Sequence, residues 1–274
     1  MERVTQSKRD QQLADTIMAL SAPDFTSHFS GWVKQLAAFD NLIIIAYQGE
    51  RRPDVLYREC VDPVVYQQMD SHYLEGAYLL DPFYREHLKG GVRGIRRLAD
   101  VAPDRFWRTH YYEHYYRQTT LLDEIAIFAQ LNDDVTLNAC FGKDRSSNQP
   151  FSPSELTALG RHEHTLAGLL SRHWQHYRPE SAQQAPPLPL EKRLREALYQ
   201  QRGIQLSPRQ AEVALFILRG HSSLSISLHL NVSLQTVKVF RRQLYARCRI
   251  SSQAELFALL VPFFAQLTSS ISTP

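Results

Sequence analysis

The 274-residue chain is poor in cysteine, in glycine and in long apolar runs, and each shortage removes a class of protein. Its three cysteines, Cys60, Cys140 and Cys248, are odd in number, far apart and form no CxxC pair, so neither a disulfide framework nor a zinc ribbon is expected and all three read as inert thiols. With eleven glycines there is no glycine-rich phosphate loop, and no GxSxG elbow for a nucleophile. His110 and His114 stand four apart in HYYEH, which lacks both the HExxH pattern and a third ligand, while His162, His164, His173 and His176 fall along a helical stretch where solvated histidines are ordinary. No catalytic residue, no metal and no cofactor is therefore expected. The longest apolar runs, Leu42 to Tyr47 and Leu256 to Ala265, fall short of the roughly 18 residues that span a bilayer, and Pro262 interrupts the second. The charged opening MERVTQSKRDQQLAD lacks the apolar core of a secretory signal. A cytoplasmic protein without a membrane partner is expected.

What is present is an uneven distribution of charge. From Glu191 onward eleven basic residues face four acidic ones, a balance of +7, whereas residues 1–190 carry 20 basic and 24 acidic side chains, a balance of −4. A small basic unit joined to a mildly acidic larger one suits a nucleic-acid reader attached to a domain that binds no polyanion. The stretch RPESAQQAPPLPL, with four prolines, disfavours helix and favours an extended spacer. Three segments are expected: a sensor and dimerisation domain over 1–177, a proline-rich linker over 178–190, and a DNA-binding domain over 191–274.

Within the first segment the apolar spacing of Phe25, Phe29, Trp32, Val33 and Leu36 predicts a helix, and LIIIAY predicts a buried strand paired with Val55 to Cys60 across the turn GERRPD. A second pair is predicted at Glu124 to Gln130 and Val135 to Phe141, with Asn132, Asp133 and Asp134 as turn residues. One long helix is predicted from Phe151 to Tyr177, opened by Ser152 as cap, Pro153 in the first turn and Glu155 as capping-box partner. This order describes an α+β sensor domain, an antiparallel sheet with helices, followed by an all-α C-terminal helix-turn-helix domain.

The C-terminal signals are sharper. Ser207, Pro208 and Gln210 open a helix that carries Val213, Phe216 and Ile217 and stops at Gly220. A short helix from about Ser222 to Leu230 follows, burying Leu224 or Ile226, and Asn231 stands where a tight turn needs a positive φ. Ser233 caps a third helix. On it Gln235, Lys238, Val239 and Arg242 share one face and Val237, Phe240 and Leu244 the other, the arrangement a recognition helix needs to pack on its neighbours while reaching the major groove. The hydroxyls of Ser233 and Thr236 and the free amides of the helix start suit a backbone phosphate.

The run LSPRQAEVALFILRGHSSLSISLHLNVSLQTVKVFRRQLYARCRISSQAEL resembles the LuxR-type helix-turn-helix in its opening L-[ST]-x-R-[EQ]-x-E-V, its central Gly, its Ile before the turn and its S-x-x-T-V-K-V core. The resemblance covers about the last quarter of the chain. It implies a transcriptional regulator in which Lys238, Val239 and Arg242 enter the major groove, with Thr236 and Arg241 on phosphates. It also implies a homodimer joined through the helix at about Ser252 to Leu260, reading an inverted repeat in double-stranded DNA, with RNA polymerase as a further candidate partner. Ser227, Asn231, Phe240 and Cys248 depart from the family's usual Ala, Gly, His and Leu.

For the sensor, YLEGAYLLDPFYREH and DRFWRTHYYEHYYRQTTLLDE resemble segments of the acyl-homoserine-lactone receptors and of the related GAF-like fold. Where that family places lactone-binding Trp residues the chain has Gln68 or Met69 and Arg96, which argues against a long-chain lactone. A receiver domain is excluded, since the first strand ends in Tyr47, Gln48 and Gly49 rather than aspartate. The preferred reading is an aromatic box for an amine or amino-acid-like effector, built from Tyr47, Tyr66, Tyr73, Asp81, Phe83, Trp107, Tyr111 and Phe128, with Glu113, Asp123 or Glu124 nearby. A lactone receptor and a ligand-independent regulator are the alternatives. In the plainest reading the aromatics are ordinary core and Asp81 caps the helix that Pro82 begins.

Overall fold

The structure, a computed structural model, describes residues 2–179 and 187–269. Part of the expected linker, residues 180–186, lies outside the described residues. The first half runs α1 (Glu2–Met18), α2 (Phe25–Val33), β1 (Asn41–Gln48), β2 (Asp54–Cys60), α3 (Pro82–Leu88), β3 (Gly94–Arg97), α4 (Leu98–Val101), α5 (His110–His114), β4 (Asp123–Gln130), β5 (Val135–Lys143), α6 (Pro153–Arg161) and α7 (Glu163–His173). The second is helical: α8 (Leu190–Arg202), α9 (Pro208–Leu218), α10 (Ser223–Leu230), α11 (Leu234–Cys248) and α12 (Gln253–Ser269). The strands form one antiparallel sheet in the order β2-β1-β5-β4-β3.

The three central strands are rich in β-branched and aromatic residues because both faces of the sheet are covered. Alternation sorts the side chains. Leu42, Ile44, Ile125, Ile127, Leu137, Ala139 and Phe141 point to a core closed by α2, α6 and α7. Ile43, Ile45, Tyr47, Ala126, Phe128 and Cys140 point to the opposite face, roofed by the segment between β2 and β4. That roof is built of short 3₁₀, π and α turns rather than long helices, and 106–119 is three separate turns.

Two further differences from expectation have local causes. The helix predicted over Phe151 to Tyr177 is broken at His162, whose φ of −108° and ψ of 8° divide α6 from α7. The break lets Glu163 reach the edge strand, where its Oε2 accepts the Ile95 N–H at 3.2 Å. Strand β3 itself was not expected, since GIRR is too short and too polar to show alternation. At the start of α6 the predicted capping box is present, and the Glu155 carboxylate also holds the buried Lys143 ammonium at 3.0 Å.

The second hydrophobic core does not stop at the linker. It passes from the sheet through Tyr73, Tyr78 and Phe106 into Leu194, Leu218, Leu256, Phe263 and Phe264 of the helical half. Two glycines permit this approach. A Cβ on Gly76 (φ +131°) would stand 2.8 Å from the Phe264 backbone, and one on Gly220 (φ +94°) 2.9 Å from that of Phe106. Polar contacts cross the same boundary: Arg105 N–H to Gly220 O at 2.8 Å, Ser222 N–H to Asp104 Oδ1 at 2.9 Å, and Arg193 Nη2 to Glu50 at 3.2 Å.

Gly49 (φ +50°) has open space around its missing Cβ, so Gly49→Ala is expected to cost only the left-handed backbone penalty of about 1–2 kcal/mol. Gly76→Ala adds the clash with Phe264 and should lose clearly more in thermal unfolding. Equal losses in the two variants would mean that the halves do not pack in solution as described.

Candidate functional site

The helical half builds its reader from caps. Ser207 Oγ accepts the Gln210 N–H at 3.2 Å and the Gln210 side chain returns to the Ser207 N–H at 2.9 Å, completing the box that starts α9. In α10 Ile226 is fully buried, whereas Leu224, the other residue expected to be buried there, is 59% exposed. Asn231 ends α10 in the left-handed region at φ +51°, which Asn tolerates better than most residues because its short polar side chain can hydrogen-bond the local backbone. Ser233 then caps α11, its Oγ accepting the Thr236 N–H at 3.0 Å.

Val237 and Leu244 of α11 are buried against its neighbours. On the outer side Ser233, Gln235, Lys238 and Arg242 are exposed, and Val239 and Thr236 are partly so. Arg241 is placed differently: half-buried, it donates to Ser223 Oγ at 2.9 Å and lies over the Tyr245 ring, tying α11 to the start of α10. A capped helix with an apolar inner stripe and an outer stripe of Gln, Lys and Arg, set behind a short helix and a tight turn, is the geometry of a major-groove reader.

Fold and site together define a helix-turn-helix DNA-binding regulator. Residues 204–260 match the family described as bacterial regulatory proteins, luxR family. This segment is a LuxR-type helix-turn-helix, which makes the chain a DNA-binding transcriptional regulator. It is 29% identical over 185 residues, 66% of its length, to an Aeromonas salmonicida protein described as an HTH-type transcriptional regulator in the exeN 3′ region, and it covers 93% of that protein. The VqsR LBD domain from Pseudomonas aeruginosa superposes on 62% of this chain and 98% of its own at a TM-score of 0.53 and 22% identity, which shows a shared fold. Escherichia coli SdiA aligns over 95% of this chain and 98% of its own at a TM-score of 0.36 and 14% identity. Among the described residues no helix is long and apolar enough to cross a membrane.

In the sensor half, a cavity of about 40 Å³ lies between the sheet and its aromatic roof. Of the eight residues expected to form an effector box it brings together five: Tyr47, Tyr66, Tyr73, Asp81 and Tyr111. The other three lie elsewhere. Phe83 and Phe128 pack edge to face with ring centroids 6.2 Å apart in the core, and Trp107 is 48% exposed because its turn buries Phe106 instead. Tyr115, Tyr116, Met69, Thr119, Glu124 and Cys140 also line it, and Ile43, Ile45, Val65 and Leu121 complete the lining. Glu124 and Cys140 follow from strand alternation, since each shares a sheet face with Phe128 or Tyr47; the roof residues carry no such signal. Of the other two acids weighed, Asp123 is held by Arg97 at 2.8 and 3.1 Å, and Glu113 is half-exposed on Arg117.

The cavity is polar at its floor. Tyr73 donates to Asp81 Oδ2 at 2.6 Å, Tyr47 and Tyr73 share a hydroxyl contact at 3.0 Å, and Asn138 donates to the Tyr47 hydroxyl at 3.3 Å. Asp81 Oδ1 accepts the Phe83 N–H at 2.8 Å, so the residue caps α3 and lines the cavity at once. Burial raises the Asp81 carboxyl to about 6 against the donors that oppose it. Burial, with Asp81 nearby, raises Glu124 to about 8. The same desolvation keeps all six lining tyrosines protonated.

Lys238→Ala and Arg242→Ala should each weaken specific DNA binding by about 1–3 kcal/mol if they contact bases. Fluorescence anisotropy on a selected operator measures this, and wild-type affinity in both variants would reject this face of α11.

Proposed function

We propose that the chain is an effector-controlled regulator divided into a sensor over 1–177, a linker over 178–190 and a DNA-binding domain over 191–274, and that the effector is a small amine. The observation that carries the effector reading is the cavity lining: two carboxyls and six tyrosines, with no Lys, Arg or His among them. Such a box favours a cation, which gains a carboxylate partner and ring faces worth about 0.5–2 kcal/mol each. An amino acid would bring a second carboxylate beside Asp81 and Glu124 with no cation to meet it. An amine without a carboxylate therefore fits better. Room is scarce, since about 40 Å³ suits roughly three or four waters at 10–15 Å³ each, and an acyl chain has no place. The effector must open the roof. As the family resemblance implies, the active species is a homodimer reading an inverted repeat in double-stranded DNA.

The smallness of the cavity equally favours a ligand-independent regulator, and pH separates the two. An acid whose pKa is raised by folding, as for Glu124 (4.5 to about 8) and Asp81 (3.8 to about 6), is protonated preferentially in the native state. Its contribution is complete below the unfolded pKa and is lost as pH rises through the folded one. Without ligand, stability should fall between about pH 4.5 and 8, and Glu124→Gln should flatten that slope. Amine binding needs the carboxylates ionised, so its effect on melting should grow over the same window and vanish in Glu124→Gln. A panel of primary amines and polyamines that leaves the melting temperature unchanged at pH 8 would leave the ligand-independent reading standing.

A further inference from the structure

A second, larger cleft lies between the halves, away from the aromatic cavity. It measures about 490 Å³ and is walled by α3, α4 and β3 on the sensor side and by the end of α9 with α10 on the other. Arg85 and Arg219 face it from opposite sides. Arg219 is 6% exposed, and its one described hydrogen bond runs from Nε to Leu79 O at 3.3 Å. Arg85 is half-buried, with its guanidinium 5.8 Å from the Phe216 ring of α9. Neither has a carboxylate within salt-bridge distance among the described residues.

Glu86, Asp100 and Asp104 also line the cleft, and Glu50 and Glu86 attract Arg85 at longer range, but each acid has a nearer partner. Glu86 takes Lys89 and, at 3.9 Å, Arg96; Asp104 accepts the Ser222 N–H; Glu50 is held by Arg193. Asp100 acts on Arg97. Burial, joined by repulsion from Arg85, lowers Arg219 to about 9. A buried and a half-buried cation, neither ion-paired, are costly at a domain boundary unless an anion joins them.

We propose that this cleft binds a small phosphate-bearing anion that bridges Arg85 of the sensor and Arg219 of the DNA-binding half. Guanidinium forks match phosphate oxygens in charge and geometry, and the Ser225 hydroxyl and the imidazoles of His221 and His229 line the same wall as further polar partners. Because its ligands come from both halves, the anion stabilises the docked arrangement in proportion to its occupancy. The site takes the opposite charge from the aromatic cavity, so the two would read different metabolites.

Calorimetric titration of the full chain with inorganic phosphate, at ionic strength held constant with chloride, tests the proposal. One saturable site per chain is expected, with a rise in melting temperature that chloride alone does not give. Arg85→Met should weaken binding about tenfold or more, as loss of charge-assisted hydrogen bonds predicts. Arg219→Met should do the same, and if it fails to fold, Arg85→Met decides. The Lys238→Ala/Arg242→Ala double variant should bind phosphate like the parent, because those residues lie on the DNA face. No saturable binding in the millimolar range, parent-like binding by Arg85→Met, or loss of binding in the double variant would each overturn it.

Discussion

The hydrogen bond from the Tyr73 hydroxyl to Asp81 is the contact on which the cavity side of the sheet depends. One oxygen of that carboxyl closes the polar floor of the cavity and the other caps α3 through Phe83. Helix α3 in turn carries Tyr84, packed at right angles to Tyr78 with centroids 5.0 Å apart, and Arg85, which touches Phe216 of the DNA-binding half. A change in the charge or partners of Asp81 therefore acts first on the start of a helix whose far side faces the second domain. The path is two residues of chain and one turn of helix, short enough to need no long relay.

This coupling has a second physical basis in the shape of the core. The face of the sheet covered by α2, α6 and α7 is closed by aliphatic and aromatic packing, with the buried Lys143 held by Glu155 at its margin, while the opposite face is completed by Leu256, Phe263 and Phe264 from the far end of the chain. Interiors packed to this density do not deform continuously. The proposed effector, in opening the tyrosine roof, would act close to the turn at Gly76, on which Phe264 of α12 rests.

Much of this was legible in the sequence, and the divide follows physical range. Caps are local, so Ser152, Ser207, Ser233 and the left-handed Asn231 could be read from neighbours within four residues. Alternation is local too, and it exposed the central strands and, in retrospect, Glu124. What could not be read depends on distant partners: β3 exists because β4 offers it an edge, α7 starts where Glu163 finds the Ile95 amide, and Trp107 is turned outward because Phe106 fills the space against Gly220. The burial of α12 on the sensor is of the same kind, since VPFFAQL is apolar whatever covers it.

The docked arrangement also limits how the sensor can govern the reader. Gln235, Lys238 and Arg242 remain exposed while Arg219, Gly220 and α12 are packed against the sensor, so contact between the halves leaves the recognition face uncovered. Occlusion of DNA by the sensor is thus not the operative control in this arrangement. What docking does constrain is the direction in which α11 points and which side of α12 is available, where Ala254, Glu255 and Ala258 are exposed and Leu256, Phe257 and Leu260 are not. A protein that reads two half-sites at fixed spacing needs both of those set correctly in each copy. In the proposed dimer, control would fall on the geometry between readers rather than on access to any one of them.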